Sequence, residues 1–254
     1  MHENPLRALW RDDKAAINGW VTIPSGFAAE VMAQQNWDSV TVDMQHGVMG
    51  YQAAVECLTA IGTTDKVPLV RVPWNEPSII MRMLDAGALG VICPMVNTRQ
   101  QAEQLVAACR YAPDGNRSIG PARPLLTMGP EYVSRANELV QVFAMIETPE
   151  AMENLDDIMS MPGLDGIYVG PSDLAMGLGF PPAFDPDNAT VMGAIDNILS
   201  AAEKHGLVAG IHCPNGGVAW TMSRNGFRLV SVANDWRILS TAVQSEIAAA
   251  RGGD

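Results

Sequence analysis

The chain has 254 residues, 48% of them apolar, and a formal net charge of -12. Its length suits one large domain, and the apolar share is enough to build a sizeable core. The acidic balance excludes nucleic acid and anionic membrane surfaces as partners, because phosphate binding needs clustered Lys and Arg.

In chain order, the start "MHENPLRALWRDDK" has no apolar signal core, and no later run reaches the roughly 18 apolar residues of a membrane span. The first strand signal is "GWVTI" from Gly19, followed by the helical pattern "SGFAAEVMAQQN". "SVTVDM" from Ser39 runs into Asp43, Gln45 and His46 in "DMQHG", and "VPLVRV" from Val67 carries Arg71. "GVICPMV" from Gly90 precedes the helical "RQQAEQLVAACRY". "VQVFAMIE" from Val140 ends on Glu147, and "LDGIYVG" from Leu164 leads through "GPSD" to Asp173. After the helical "TVMGAIDNILSAAEKHG", "LVAGIHC" from Leu207 brings His212 and Cys213. "FRLVSVAN" from Phe227 brings Asn234 and Asp235 and opens the last helix, "WRILSTAVQSEIAAA". Gly62, Gly87, Gly206 and Gly226 follow helical patterns, where Gly is the usual left-handed cap.

Eight strands alternating with helices predict a (β/α)8 barrel, one domain over residues 1–254. The rival, a doubly wound open sheet, would carry a Gly-rich phosphate loop after an early strand, and no G-x-G-x-x-G occurs. Cys57, Cys93, Cys109 and Cys213 are scattered, as expected of reduced thiols in a cytoplasmic protein.

The C-terminal ends of barrel strands build active sites, and the polar residues of this chain gather there. Burying an unpaired carboxylate is costly, yet two apolar runs finish on Glu147 and Asp173. The pair reads in two ways. Both carboxylates hold one hard divalent cation, Mg2+ or Mn2+, with water or substrate completing its shell. Alternatively each caps the helix that follows, since "ETPEA" and "PSDLA" resemble helix starts. His46, in a Gly-flanked turn, is a candidate general base or a structural side chain. Arg71, inside an apolar strand, is either half of a buried ion pair or a cation aimed at a substrate oxyanion. The N–H groups of "GPSDL" form either a carboxylate seat or an ordinary strand-to-helix turn. His212 reads as a wall residue, and His2 and His205 read as surface positions. None of the three lysines, Lys14, Lys66 and Lys204, stands at a rim strand end, which argues against a Schiff-base mechanism.

The ordered set "DMQHG", "LVRVPWNEP", "MLDAGALGVICPMV", "RYAPDGNRSIG", "IETPEAMENLDDI" and "GIYVGPSDLAMGLG" resembles the HpcH/HpaI aldolase family of metal-dependent pyruvate aldolases. The likeness runs from Trp20 to about Leu239. It implies a (β/α)8 barrel that reversibly joins pyruvate or hydroxypyruvate to an aldehyde, as a carbon–carbon lyase. By that resemblance Glu147 and Asp173 are the metal ligands, His46 the proton acceptor and Arg71 the residue that stabilises the enolate oxygen. Ser172 and Asp173 seat the carboxylate of the 2-oxo acid, and Trp20 and Met145 belong to the substrate pocket. Met145 departs from the family, which often has Gln there, so that polar contact is absent. Asp85, in "MLDAG", matches an acid that supports the catalytic histidine. Because Asp85 ends a helix on the far face of the barrel, it reaches a His46 only in a neighbouring subunit. The expectation is a homo-oligomer, a hexamer with its last helix exchanged. The alternative on the same fold is a citrate lyase β-like acyl-CoA lyase, with Arg110, Arg117 and Arg123 as a basic groove for the CoA phosphates.

Overall fold

The computed structural model describes residues 3–184 and 187–252. Eight strands close into a barrel in sequence order, all neighbours parallel: β1 (Ala16–Val21), β2 (Ser39–Asp43), β3 (Val67–Arg71), β4 (Gly90–Cys93), β5 (Gln141–Ile146), β6 (Gly166–Val169), β7 (Val208–Cys213) and β8 (Leu229–Val232). Closure comes from β1 pairing with β8, with Ala16 opposite Leu229 and Asn18 opposite Ser231. Each of the eight predicted strands is present. β1 begins three residues before the predicted start at Gly19, because Asn18 disguises it. A polar residue that is poor in strands here points into the barrel, its amide hydrogen-bonded with the hydroxyls of Thr41 at 2.9 Å and Ser231 at 2.8 Å.

Alternation along the strands sorts the side chains into two cores. One set, including Val40, Val42, Val70, Val91, Val142, Ile146, Ile167, Ile211 and Val230, packs outward against helix residues such as Ile80, Leu84, Leu105, Ile158 and Ile195. The other fills the barrel itself with Trp20, Leu69, Ile92, Phe143, Met145, Tyr168 and Leu229. Its N-terminal mouth is shut by the Pro5–Arg11 helix: Leu6 is fully buried, and Trp10 meets Phe143 edge-on at 6.0 Å. Asp165 ties the same end together, pairing with Arg7 at 2.5 Å and with Arg110 at 2.6 Å. With that mouth plugged, the opposite rim is the open one.

Helices at Gly26–Ala33, Arg99–Cys109, Ala189–Lys204 and Asp235–Ala250 match the predicted patterns, and Ser25, Thr98, Asn188 and Asn234 cap them with their side chains. Gly87, Gly206 and Gly226 take left-handed φ angles of 105°, 67° and 122°. Gly62 corrects the expectation. Its φ is -66°, so the Tyr51–Ile61 helix ends right-handed, with Thr64 Oγ1 donating to the Ile61 carbonyl.

Candidate active site

The open rim holds a cavity of about 370 Å³, lined among others by Trp20, Asp43, His46, Arg71, Met145, Ser172, Asp173 and His212. Register explains the first pair. Asp43 and Arg71 stand opposite each other at the ends of β2 and β3. Arg71 donates from Nε to Asp43 Oδ1 at 2.9 Å and from Nη2 to Oδ2 at 2.5 Å. Asp43 is 1% exposed and also accepts from Trp20 Nε1 and the N–H groups of Gln45 and His46. Burial pushes its carboxyl up, but the hydrogen bonds and charge of Arg71, helped by Trp20 and His46, outweigh burial and hold it below the usual carboxylate value. Both sequence readings of Arg71 therefore meet in one side chain: it is half of a buried ion pair, and it faces the cavity. Asp43 is the support that the sequence reading passed over, although it stands in the quoted "DMQHG".

His46 is exposed at the cavity edge, in the turn that Asp43 organises. Gly47 is required beside it, since a Cβ there would lie 2.0 Å from the Asp43 carbonyl oxygen.

Glu147 follows β5 and is 2% exposed. It does not cap the next helix: Thr148 does, its Oγ1 accepting from the Ala151 N–H at 3.0 Å. Glu147 Oε1 instead accepts from the Met95 N–H at 2.9 Å, offered by a residue in the left-handed region at φ 56°. Gly170 leaves room for the other oxygen, because a Cβ there would lie 2.5 Å from Oε2. Burial, reinforced by the charge of Asp173, raises the Glu147 carboxyl to about 7, although the Met95 hydrogen bond and Arg71 lower it. Asp173 lies exposed in the first turn of the Pro171–Gly177 helix, whose positive end favours an acid. Among the described residues, neither carboxylate has an ion-pair partner, and no third His, Cys, Asp or Glu joins them as a metal cluster. This donor set fits a hard divalent ion that keeps several positions for water or substrate.

Ser172 lines the cavity with a buried Oγ that has no partner, and Met145 and Trp20 form apolar wall, each 1% exposed. His212 lies 4.9 Å edge-on from Trp20. Burial and the charge of Arg71 pull it down to about 3, so it is neutral. His205 is half-buried and pairs with Asp156 at 2.6 Å, so it is more than a bare surface residue; His2 lies outside the described residues. Among the described residues, no lysine lines the cavity.

Asp85 stays apart from this group. It accepts from Arg117 Nη2 at 2.7 Å, and Arg117 in turn lies over the Tyr111 ring and donates to Tyr132. Arg110 is likewise buried and engaged with Asp165 and three backbone carbonyls. Arg123 donates to the Ala86 carbonyl. Arg110 and Arg117 are therefore committed inside the fold and form no groove for CoA phosphates. The sequence reading missed Phe184, Trp236 and Arg237, which also line the cavity. Trp236 and Arg237 were hidden as ordinary positions of the last helix.

A closed parallel barrel with an ionisable rim around a small cavity defines an enzyme of the (β/α)8 class. Residues 19–239 match the family model of HpcH/HpaI aldolase/citrate lyase, and the chain belongs to that family. It is 42% identical to a hydroxypyruvate/pyruvate aldolase of Rhizorhabdus wittichii, over 98% of this chain and 99% of that one. It is 32% identical to a 4-hydroxy-2-oxo-heptane-1,7-dioate aldolase of Escherichia coli, over 99% of this chain and 95% of that one. A solved structure of an HpcH/HpaI aldolase/citrate lyase family protein from Burkholderia cenocepacia superposes with a TM-score of 0.90 at 30% identity, covering 98% of this chain and 99% of that one.

Proposed function

We propose that the protein is a class II, metal-dependent aldolase that cleaves 4-hydroxy-2-oxo acids reversibly to pyruvate or hydroxypyruvate and an aldehyde. The observation that carries this reading is Glu147, a buried carboxylate beside Asp173, raised to about 7 and given no side-chain cation as an ion-pair partner among the described residues. Glu147 and Asp173 would hold Mg2+ or Mn2+, which supplies Lewis-acid charge when bound. The start of the Pro171–Gly177 helix, with Ser172 and the backbone of Asp173, seats the carboxylate of the oxo acid. Trp20 and Met145 keep that end of the cavity dry. Arg71, held rigid by Asp43, directs N–H donors at the C2 oxygen as negative charge develops there. His46 takes the proton from the C4 hydroxyl in cleavage, or from C3 of the oxo acid in synthesis. The absence of a cavity lysine supports this over an imine route.

Exhaustive chelation should abolish turnover, and Mg2+ or Mn2+ should restore it. Full activity after chelation, or borohydride trapping of substrate on a lysine, sinks the mechanism. His46→Ala should slow exchange of the C3 protons of pyruvate; unchanged exchange puts the base elsewhere.

The assembly reading is a homo-oligomer, a hexamer in which Asp85 supports His46 of a neighbour. The Asp235–Ala250 helix supports it with a stripe of exposed Trp236, Leu239, Val243 and Ile247, an apolar face that another subunit can cover. Mixing His46→Ala with Asp85→Asn subunits should regenerate activity at sites that pair an intact His46 with an intact Asp85. A fully active monomer ends the idea. No helix among the described residues is long and apolar enough to cross a membrane. The four cysteines are buried and none forms a disulfide, which suits a cytoplasmic setting.

A further inference from the structure

A polar chain crosses the interior of the barrel and ends on His212 at the cavity. Asn18 on β1, Tyr168 on β6 and Ser231 on β8 are each 0% exposed, in an interior otherwise filled mainly by apolar side chains such as Leu69, Ile92, Phe143 and Leu229. Register sets them side by side: Ser231 stands opposite Asn18 on one flank and opposite His212 of β7 on the other. Burying polar groups is costly unless they are hydrogen-bonded, and these groups bond to one another in series. Such a series has a direction, because each hydroxyl has one proton to give.

The direction starts at Asn18. Both ends of its amide are satisfied when its oxygen accepts from the Ser231 hydroxyl at 2.8 Å and its nitrogen donates to the Ser39 hydroxyl at 2.8 Å. Ser231, having given its proton to Asn18, accepts from the Tyr168 hydroxyl at 2.6 Å. Burial pushes the Tyr168 phenol up, so it keeps a proton to donate. Tyr168 can then only accept from His212 Nδ1, which lies 3.4 Å away. In a neutral imidazole one nitrogen carries the proton and the other is bare. With the Nδ1 proton turned to Tyr168, Nε2 is the bare one. His212 stays neutral, because burial and then the charge of Arg71 pull it down to about 3. The Trp20 and Phe184 rings pack on the imidazole with centroids 4.9 and 5.7 Å from its own, and what they leave open lines the cavity.

We propose that His212 is a specificity-determining residue: the chain through Tyr168, Ser231 and Asn18 fixes its Nε2 as a hydrogen-bond acceptor, which takes a hydrogen bond from a hydroxyl on the carbon next to a substrate carbonyl. This rests on the aldolase reading, which gives His212 no task and supplies two sources of that hydroxyl, C3 of the 2-oxo acid and C2 of the aldehyde. A methyl group in the hydroxyl's place would leave the bare nitrogen without a donor, which costs binding. If the polar series served only to set the strands in register around the closure of the barrel, His212 would be a plain wall, indifferent to hydroxyl or methyl.

The test uses two pairs of compounds that exchange hydroxyl for methyl at nearly constant size. One is hydroxypyruvate against 2-oxobutanoate, with propanal as acceptor; the other is glycolaldehyde against propanal, with pyruvate as donor. The readout is the ratio of kcat/KM for the hydroxyl compound over the methyl compound, whatever happens to the absolute rates. His212→Leu should cut the ratio about fivefold or more in at least one pair, and the pair that responds names the source of the hydroxyl. Tyr168→Phe keeps the imidazole but frees its tautomer, so the same ratio should fall part of the way. His212→Gln, which offers a carbonyl acceptor, should keep part of the preference. Ratios that stay the same in His212→Leu for both pairs overturn the proposal. Turnover of pyruvate with propanal tests the aldolase reading separately. Should that reading fail, nitrogen NMR of the histidine-labelled protein still decides, the His212 signals being assigned by their loss in His212→Leu. A bare Nε2 that either hydroxypyruvate or glycolaldehyde shifts, and its methyl counterpart does not, supports the proposal. A protonated Nε2, or one that neither hydroxyl compound moves, overturns it.

Discussion

Asp43 and Glu147 are both carboxylates buried at the end of a strand on the same rim, and they meet the cost of burial in opposite ways. Asp43 accepts five hydrogen bonds, two of them from Arg71, and its carboxyl is held below its ordinary value. Glu147 accepts one from Met95 and is raised to about 7. Hydrogen bonds to a charged group contribute about 1.5–3 kcal/mol each, so the difference is large. A carboxylate that the chain has already neutralised is a support for its cation. One that the chain leaves short of positive charge is what the proposed function uses to hold a cation from outside.

The strongest way to break this comparison is to take the charge from Glu147. Glu147→Gln should lose metal affinity together with turnover, by about 10²–10³-fold or more, while the fold holds. Unchanged metal affinity by calorimetry would remove Glu147 from the ligand set. The matching change on the other side, Arg71→Ala, should act differently. Turnover should fall by about 10²–10³-fold with metal affinity nearly kept. Stability should also drop by about 3–5 kcal/mol, because Asp43 is left buried and unpaired. Combining Arg71→Met with Asp43→Asn should recover much of that stability and none of the rate. If the double variant is as unstable as Arg71→Ala, the pair is not what holds this part of the rim.

The two sides should also respond to pH with opposite sign. Glu147 has a folded pKa of about 7, above the ordinary 4.5. Its neutral form is favoured in the fold, so the metal-free protein binds more protons folded than unfolded between those values. Stability should therefore fall as pH rises from about 4.5 to 7, by on the order of 3 kcal/mol. Asp43 is lowered from 3.8, so its contribution is complete above that value and is lost as pH falls through its folded pKa. Denaturation curves at several pH values in chelator check both. Glu147→Gln should remove the slope between 4.5 and 7 only, and a slope that survives the substitution assigns it to another group.

The barrel was legible because each strand is a short β-branched run bounded by helix patterns, and period alone separates the two. The rim was legible as far as polar residues stood directly at strand ends: His46, Arg71, Glu147 and Asp173 could be read by position. What position could not tell is pairing. That Asp43 and Arg71 share a register level is a property of two neighbouring strands, and neither strand carries it alone. Likewise "ETPEA" looked like a helix start capped by Glu147, and only the chain's path shows that Thr148 is the cap. Arg237 was invisible for a related reason. In a helix pattern its charge reads as a solvated face, and its aromatic partner Phe184 comes from a loop more than fifty residues away.

The smallest expected effect concerns Met145, which stands between the two sides of the comparison. It is 1% exposed, two residues before Glu147, and pairs in register with Tyr168. Its methyl group lies 3.2 Å from where a Cβ on Gly170 would be, so it fills the space next to the Glu147 carboxylate with an apolar group. Met145→Gln changes volume little, so packing should tolerate it at a cost below about 1.5 kcal/mol, provided the new amide reaches the cavity. An amide sealed away from it would cost about 1–3 kcal/mol. The amide adds a donor and an acceptor to the cavity wall beside the proposed metal ligands, groups that a hydroxyl on the donor can use and a methyl group cannot. The variant should therefore shift the ratio of kcat/KM for hydroxypyruvate over pyruvate by up to about tenfold, with the melting temperature nearly kept. An unchanged ratio and unchanged rates would make the apolar wall neutral, and would leave the contrast between Asp43 and Glu147 to their own partners alone.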